Sequence, residues 1–295
     1  MGRRWVIAGV LLASACKAEL ANDTPGDADI SQPDAKVFLD AATDAPAVLG
    51  AWGMPMTIPG ASDATLAEDD CTLSSNKLEL YFKRADGGTN NNLYVMTRAT
   101  LTDPWTGLTP ISILNNTTQE ESPRLSADDL TLYFGRDGDI YKSTRTAVGQ
   151  PWSAASPVTP LNTPEYEKWA HVCSNGTAIV SRSTATNGQD LFEGTVTGGA
   201  TTAINELNSA VADQGTLLSP DCMHVYFQSN RDNAQFDMFE ATRATPTGTW
   251  SMPMKLADFN TTTASEEDPW MSLDQRVFVY SSDAAGTKDL YMATR

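Results

Sequence analysis

The sequence predicts an all-β protein: a five-bladed β-propeller closed by an N-terminal strand that completes the last blade. Three observations point there. An apolar–aromatic triplet recurs five times, at intervals of 52, 47, 46 and 53 residues. Every copy follows a cluster of turn residues and precedes a second short strand. The last copy lacks an outer strand, and a matching segment stands upstream of the first copy.

The elements follow in chain order. The triplets are Leu80-Tyr81-Phe82, Leu132-Tyr133-Phe134, Ile179-Val180-Ser181, Val225-Tyr226-Phe227 and Phe278-Val279-Tyr280. Ser, Asp and Asn before each one favour a tight turn. The next strands are Asn92-Leu93-Tyr94, Asp139-Ile140-Tyr141, Asp190-Leu191-Phe192, Asp237-Met238-Phe239 and Asp289-Leu290-Tyr291. Four of them run into Thr-Arg (97–98, 144–145, 242–243, 294–295), and the third ends in Thr195-Val196. Trp105, Trp152 and Trp250, each with a nearby proline, mark an outer strand. In the second unit this gives an inner strand Ser122–Ser126, then Leu130–Arg136, Asp139–Thr144 and the outer Trp152–Leu161. Arg295 follows a third strand directly. Ala51-Trp52-Gly53-Met54-Pro55-Met56 matches Thr249-Trp250-Ser251-Met252-Pro253-Met254, so the N-terminal strand is expected to finish blade five. Closure removes sheet edges that invite aggregation.

Glu121-Ser122-Pro123, Leu132-Tyr133-Phe134-Gly135-Arg136, Asp139-Ile140-Tyr141, Trp152 and Leu161-Asn162-Thr163-Pro164 with Glu167 resemble the WD-like, TolB-type propeller repeat of bacterial envelope proteins. The resemblance covers about residues 50–295 and is weakest in blade three, which has Ser181 in place of an aromatic. It implies an interaction platform in the periplasm or at the cell surface, with binding rather than a named reaction.

Residues 1–15 read as a signal peptide: Arg3 and Arg4, an apolar run from Trp5 to Leu12, then Ala13-Ser14-Ala15. Small residues before Cys16 resemble a lipoprotein cleavage box, with Cys16 as the lipidated residue; plain secretion after Ala15 is the alternative. Residues 16–48 carry six aspartates and one aromatic, Phe38, and are expected to form a flexible acidic tether. The propeller is expected over 49–295. The address is then the bacterial envelope: the outer membrane facing the periplasm, or the cell surface.

Twenty Lys+Arg stand against 37 Asp+Glu, a net charge of −17. Nucleic-acid binding is excluded as an expectation, because phosphate affinity comes from clustered cations. Membrane association rests on the lipid anchor alone, and a monomer is expected. No cofactor and no metal is called for: Asp137-Gly138-Asp139 and Arg231-Asp232-Asn233 are ordinary turn sequences without the helix-loop calcium spacing. After Cys16, three cysteines remain. Cys173 and Cys222 fall on adjacent blades, where a bridge is one of the open pairings, and Cys71 maps nearer the other end.

The start of each inner strand and the loop after the second strand share one mouth of a propeller. Counting back from the triplets gives Asp69, Glu121, Lys168, Gln214 and Glu267 as one column, with Glu167 replacing Lys168 if blade three slips by one residue. Three residues on come Thr72, Arg124, His171, Leu217 and Trp270. The candidate binding mouth is therefore Asp69, Glu121, Arg124, Glu167, His171, Glu267 and Trp270. Arg84, Arg136, Arg182 and Arg231 at the same end could instead pair with the acids as structural ion pairs. The expected function is an envelope-anchored, non-catalytic binding platform for a protein or polar envelope polymer. The alternative is a glycan-active hydrolase using mouth acids, since Asp69, Asp70, Glu121, Glu167 and Glu267 could converge as in arabinanase-type enzymes.

Overall fold

A computed structural model describes residues 49–295 except Thr89 and Thr117. The predicted signal peptide (1–15), lipidated Cys16 and tether (16–48) lie outside the described residues. The described chain forms five four-stranded antiparallel sheets. Blade 1 is β2 (Glu68–Leu73), β3 (Glu79–Ala85), β4 (Asn91–Thr97) and β5 (Thr106–Pro110). Blade 2 is β6 (Glu120–Leu125), β7 (Thr131–Arg136), β8 (Asp139–Thr144) and β9 (Ser156–Pro157). Blade 3 is β10 (Glu167–Val172), β11 (Thr177–Thr184), β12 (Gly188–Thr195) and β13 (Thr202–Ala203). Blade 4 is β14 (Asp213–Leu218), β15 (His224–Ser229), β16 (Asp237–Thr242) and β17 (Met254–Lys255). Blade 5 is β18 (Glu266–Met271), β19 (Val277–Ser282) and β20 (Asp289–Thr294), completed by β1 (Met56–Thr57).

The ring closes as the repeat implies. Met56 pairs with Met292 and Thr57 with Tyr291. Gly53 N–H donates to Thr294 O at 2.8 Å and Ile58 N–H to Leu290 O at 2.9 Å. Inner strands β2, β6, β10, β14 and β18 line the axis, each packed on the next, with β18 against β2.

Outer strands are shorter than expected. The segment read as Trp152–Leu161 reduces to Ser156–Pro157 and a 3-10 turn at Thr159–Leu161. Pro151, Pro157 and Pro160 have no N–H to donate, so the ladder ends early. The inner strand of blade 2 begins at Glu120 rather than Ser122.

Between blades the core is aliphatic and aromatic: Phe82, Phe134, Phe227 and Phe278 are fully buried, each contributing about 1.5–3 kcal/mol. The Trp column packs here with the Thr-Arg column. Guanidiniums of Arg98, Arg145, Arg243 and Arg295 lie 4.4, 4.6, 4.2 and 4.2 Å from the rings of Trp105, Trp152, Trp250 and Trp52. Each such stack contributes about 0.5–2 kcal/mol.

Every inner strand carries a register shift of the β-bulge type. Asp70, Ser122 and Asp268 take left-handed backbone (φ 56° each) within three of them. A bulge re-aims side chains, here toward the axis.

Candidate functional site

Two ends of the axis differ in chemistry. At the end where inner strands begin, acids and lysines interlock. Lys83 Nζ lies 2.9 Å from Asp69 and 3.0 Å from Asp70. Lys288 Nζ lies 2.8 Å from Glu267 and 3.4 Å from Asp69. Lys168 Nζ lies 3.6 Å from Glu121 and 3.8 Å from Asp70. Trp169 Nε1–H donates to both Asp70 Oδ1 (2.8 Å) and Asp268 Oδ1 (2.9 Å). Thus Asp69, Glu121 and Glu267 do come together, as their shared column requires. Gln228 binds Glu267 Oε2 at 2.8 Å and accepts from Asp268 N–H.

Burial would raise Asp70, but the ammonium groups of Lys168 and Lys83 outweigh it and hold the carboxyl at about 2. Burial would likewise raise Asp69, yet Lys83 and Lys288 keep it well below the usual range. Burial pushes Asp268 well above that range, reinforced by the Asp70 and Asp69 carboxylates, so Asp268 keeps its proton and shares a hydrogen bond with Asp69. Carboxylate oxygens of Asp69, Asp70 and Asp268 lie within 4.8 Å of one another, a spacing that could hold a metal ion. Lys83 already supplies the positive charge there.

Glu167 is not part of this group. It belongs to the preceding column, where Glu68, Glu120, Glu167 and Asp213 pair with Arg84, Arg136, Arg182 and Arg231 of their own blades at 3.0, 3.0, 2.6 and 2.5 Å. The same acids accept the backbone N–H of Asp63, Asn116, Thr163 and Ser209 in the connection from the previous blade. Charge-assisted bonds of this kind fix loops, so the four arginines are structural.

Arg124, His171 and Trp270 also leave the mouth. They form a layer halfway along the axis, because a bulge of one residue and the strand rise carry them inward. Arg124 projects from blade 2 and donates to Cys71 O on blade 1 and Thr216 O on blade 4, so its fully buried guanidinium plugs the channel. His171 Nδ1 accepts from Leu218 N–H at 2.6 Å, and its ring is also hydrogen-bonded to the Leu125 backbone. No imidazole nitrogen is left for a substrate.

Beyond that layer the other end opens. A cavity of about 400 Å³ has His171, Leu217 and Trp270 in its lining, walls that include Leu73, Leu125 and Leu218, and a rim of the turns that join first and second strands. Of the predicted binding residues, His171 and Trp270 do line this funnel, but the sequence reading places them at the opposite mouth and predicts no funnel at this end. Its signal was present in the column Leu73, Leu125, Val172, Leu218 and Met271, one residue past the His171 column. Beside it, Cys173 and Cys222 are bridged, with a Cα separation of 5.5 Å, tying blade 3 to blade 4. Cys71 is a buried free thiol.

No family model matches the sequence, and no curated protein is similar to it. Solved structures share the fold. The α-L-arabinofuranosidase of Podospora anserina superposes with a TM-score of 0.58 at 14% identity, over 82% of this chain and 95% of that one. The endo-arabinase of Bacteroides thetaiotaomicron gives 0.54 at 12% identity, over 81% and 96%. A putative TolB from Agrobacterium tumefaciens gives 0.50 at 15% identity, over 81% and 82%. At these identities the likeness is one of fold alone: this chain shares its propeller architecture with solved sugar-active enzymes and with a TolB propeller.

Proposed function

We propose that this protein is a non-catalytic binding platform of the bacterial envelope, held at the membrane through Cys16, and that its recognition surface is the apolar funnel. One observation carries the reading. The funnel is open and concave, whereas the acid end is filled by its own lysines. A cavity of about 400 Å³ with apolar walls and a few polar rim groups suits a protein segment or another ligand with an apolar face.

Glycan hydrolysis is the second reading. It is favoured by the split between an ionised Asp70 and a protonated Asp268, since a base and an acid at one site arise this way, and by the fold shared with arabinofuranosidases. It ranks second on geometry. A glycosidic bond needs carboxyls about 5–9.5 Å apart with a sugar between them. Here the oxygens lie within 4.8 Å, and both side chains are fully buried.

The test is site-specific photo-cross-linking in cells. A cross-linker replaces Leu273 on the funnel rim, 67% exposed, or the exposed Asp86 in the loop at the acid end. The platform reading expects a partner captured from Leu273 and lost when Ala127→Trp blocks the funnel. Capture from position 86 that Ala127→Trp leaves unchanged would remove the funnel from the function. Turnover of a nitrophenyl arabinofuranoside that Asp70→Asn abolishes in a folded protein would install the second reading.

A further inference from the structure

The funnel shares a wall with a second concavity. Its lining residues His224, Tyr226, Met271 and Gln275 also line a groove of about 300 Å³ beside blades 4 and 5. This pair of adjoining concavities reaches from the axis outward to Glu240 and Lys255. Its inner part is apolar. Its outer part carries hydrogen-bonding groups: His224 Nε2 meets Glu240 at 2.8 Å and stacks on Tyr226 at 4.4 Å.

The rim has a repeated construction. Each turn sets a small residue against an Asn or Asp two positions on: Ser74 with Asn76, Ser126 with Asp128, Cys173 with Asn175, Ser219 with Asp221, and Ser272 with Asp274. Three of the five are carboxylates, and all three are exposed. The Ser126 and Ser219 hydroxyls hold Asp128 and Asp221 below the ordinary range, so both are ionised at neutral pH. Lys77 neutralises Asp274 at 2.5 Å. Asp128 and Asp221 have no ion-pair partner among the described residues. An apolar funnel thus has two carboxylates without an ion pair, Asp128 and Asp221, on its five rim turns, on a molecule whose net charge is −17. An anionic partner would be repelled and a cationic one steered in.

We propose that this pair of concavities docks an extended basic peptide segment of a partner protein, with one bulky apolar side chain in the funnel and flanking Lys or Arg against Asp128 and Asp221. The segment leaves through the groove beside blades 4 and 5, where His224 and Glu240 face its backbone. The inference rests on the binding reading above and adds the chemistry of the partner. A compact apolar molecule would need neither the groove nor the charged rim.

The experiment pans a random heptapeptide phage library on the full chain and measures the enriched peptides, fluorescein-labelled, by anisotropy. Two variants separate the claims. Ala127→Trp fills the funnel from an exposed turn position. The pair Asp128→Asn/Asp221→Asn removes the rim charge and keeps an acceptor; asparagine already stands at this place in blades 1 and 3, at Asn76 and Asn175. Both variants are checked for a wild-type melt. The expected result is peptides with Lys or Arg beside Trp, Phe or Leu, losing at least tenfold affinity on Ala127→Trp. They lose about tenfold on the Asp→Asn pair, with a steep salt dependence only in wild type. Peptides without basic residues, weakened by Ala127→Trp and indifferent to Asp→Asn, would overturn the basic-peptide proposal and leave the funnel as the site. No enrichment, or enriched peptides indifferent to Ala127→Trp, would overturn both.

Discussion

His171 shows how a single side chain divides structural from functional reading. Burial, reinforced by Arg124, pulls its ring down to about 3, so it is neutral in the fold. In the unfolded chain a histidine takes up its proton near about 6.5. Between these values the unfolded state binds one more proton, so stability falls as pH drops below about 6.5. Above about 6.5 both states are neutral and the ring adds no slope. Linkage puts the loss between about pH 6.5 and pH 5 at about 2 kcal/mol. His171→Gln lacks that slope, so in urea unfolding its deficit relative to wild type shrinks by about 2 kcal/mol on going from pH 7 to pH 5. Parallel pH profiles for the two proteins would refute the assignment. The sequence could mark His171 as an exception in its column, but a column records only that residues share a level. Depth along the axis depends on where each bulge falls, and Asp70, Ser122 and Asp268 hold left-handed backbone that nothing in their residue types demands. For the same reason Asp69, Glu121 and Glu267 were readable as neighbours, while Glu167, one residue earlier in register, was not separable from them.

Among the elements, the turn between first and second strands recurs in every blade, and its left-handed position does the stapling. Lys77, Asp129, Gly176, Cys222 and Gln275 all have positive φ. Three of these side chains reach the blade before their own: Lys77 to Asp274, Asp129 to the Ser75 N–H and hydroxyl, and Cys222 to Cys173. An ion pair, a hydrogen-bonded pair and a disulfide occupy equivalent junctions. The disulfide constrains most, since it spans 49 residues of sequence; chain entropy then gives an upper figure of about 4 kcal/mol. Cys173→Ser/Cys222→Asn tests it cleanly. Serine is the residue of the other four turns, and asparagine tolerates the left-handed region. The double variant is expected to lose about 2–4 kcal/mol in denaturant unfolding. Reductant should bring wild type down to the same level and leave the variant unmoved. Equal stability of the two oxidised proteins would show that the bridge contributes nothing. Spacing alone left this pairing open, because the turn that brings Cys222 onto blade 3 is a matter of handedness.

At the scale of the whole molecule, ring closure was the most legible feature, since the W-x-M-P-M segment occurs once upstream and once in blade 4. It also sets a boundary that can be cut. The closing segment contributes Trp52, whose ring meets Phe259 at 5.2 Å, Phe278 at 6.1 Å and the Arg295 guanidinium at 4.2 Å. It also contributes the β1 pairing with β20. Removing a packed tryptophan costs about 3–5 kcal/mol. In a domain of this size that lowers the melting temperature by about 10 °C. A chain lacking residues 1–57 is therefore expected to melt about 10 °C lower than one lacking 1–48, with a tendency to aggregate through the freed β20 edge. A synthetic peptide of residues 49–58, added in excess, should recover part of the loss by mass action. Equal melting of the two truncated chains would mean that the ring holds without its closing strand, and that the fifth blade, like a solenoid cap, is stabilised by its inner strands alone.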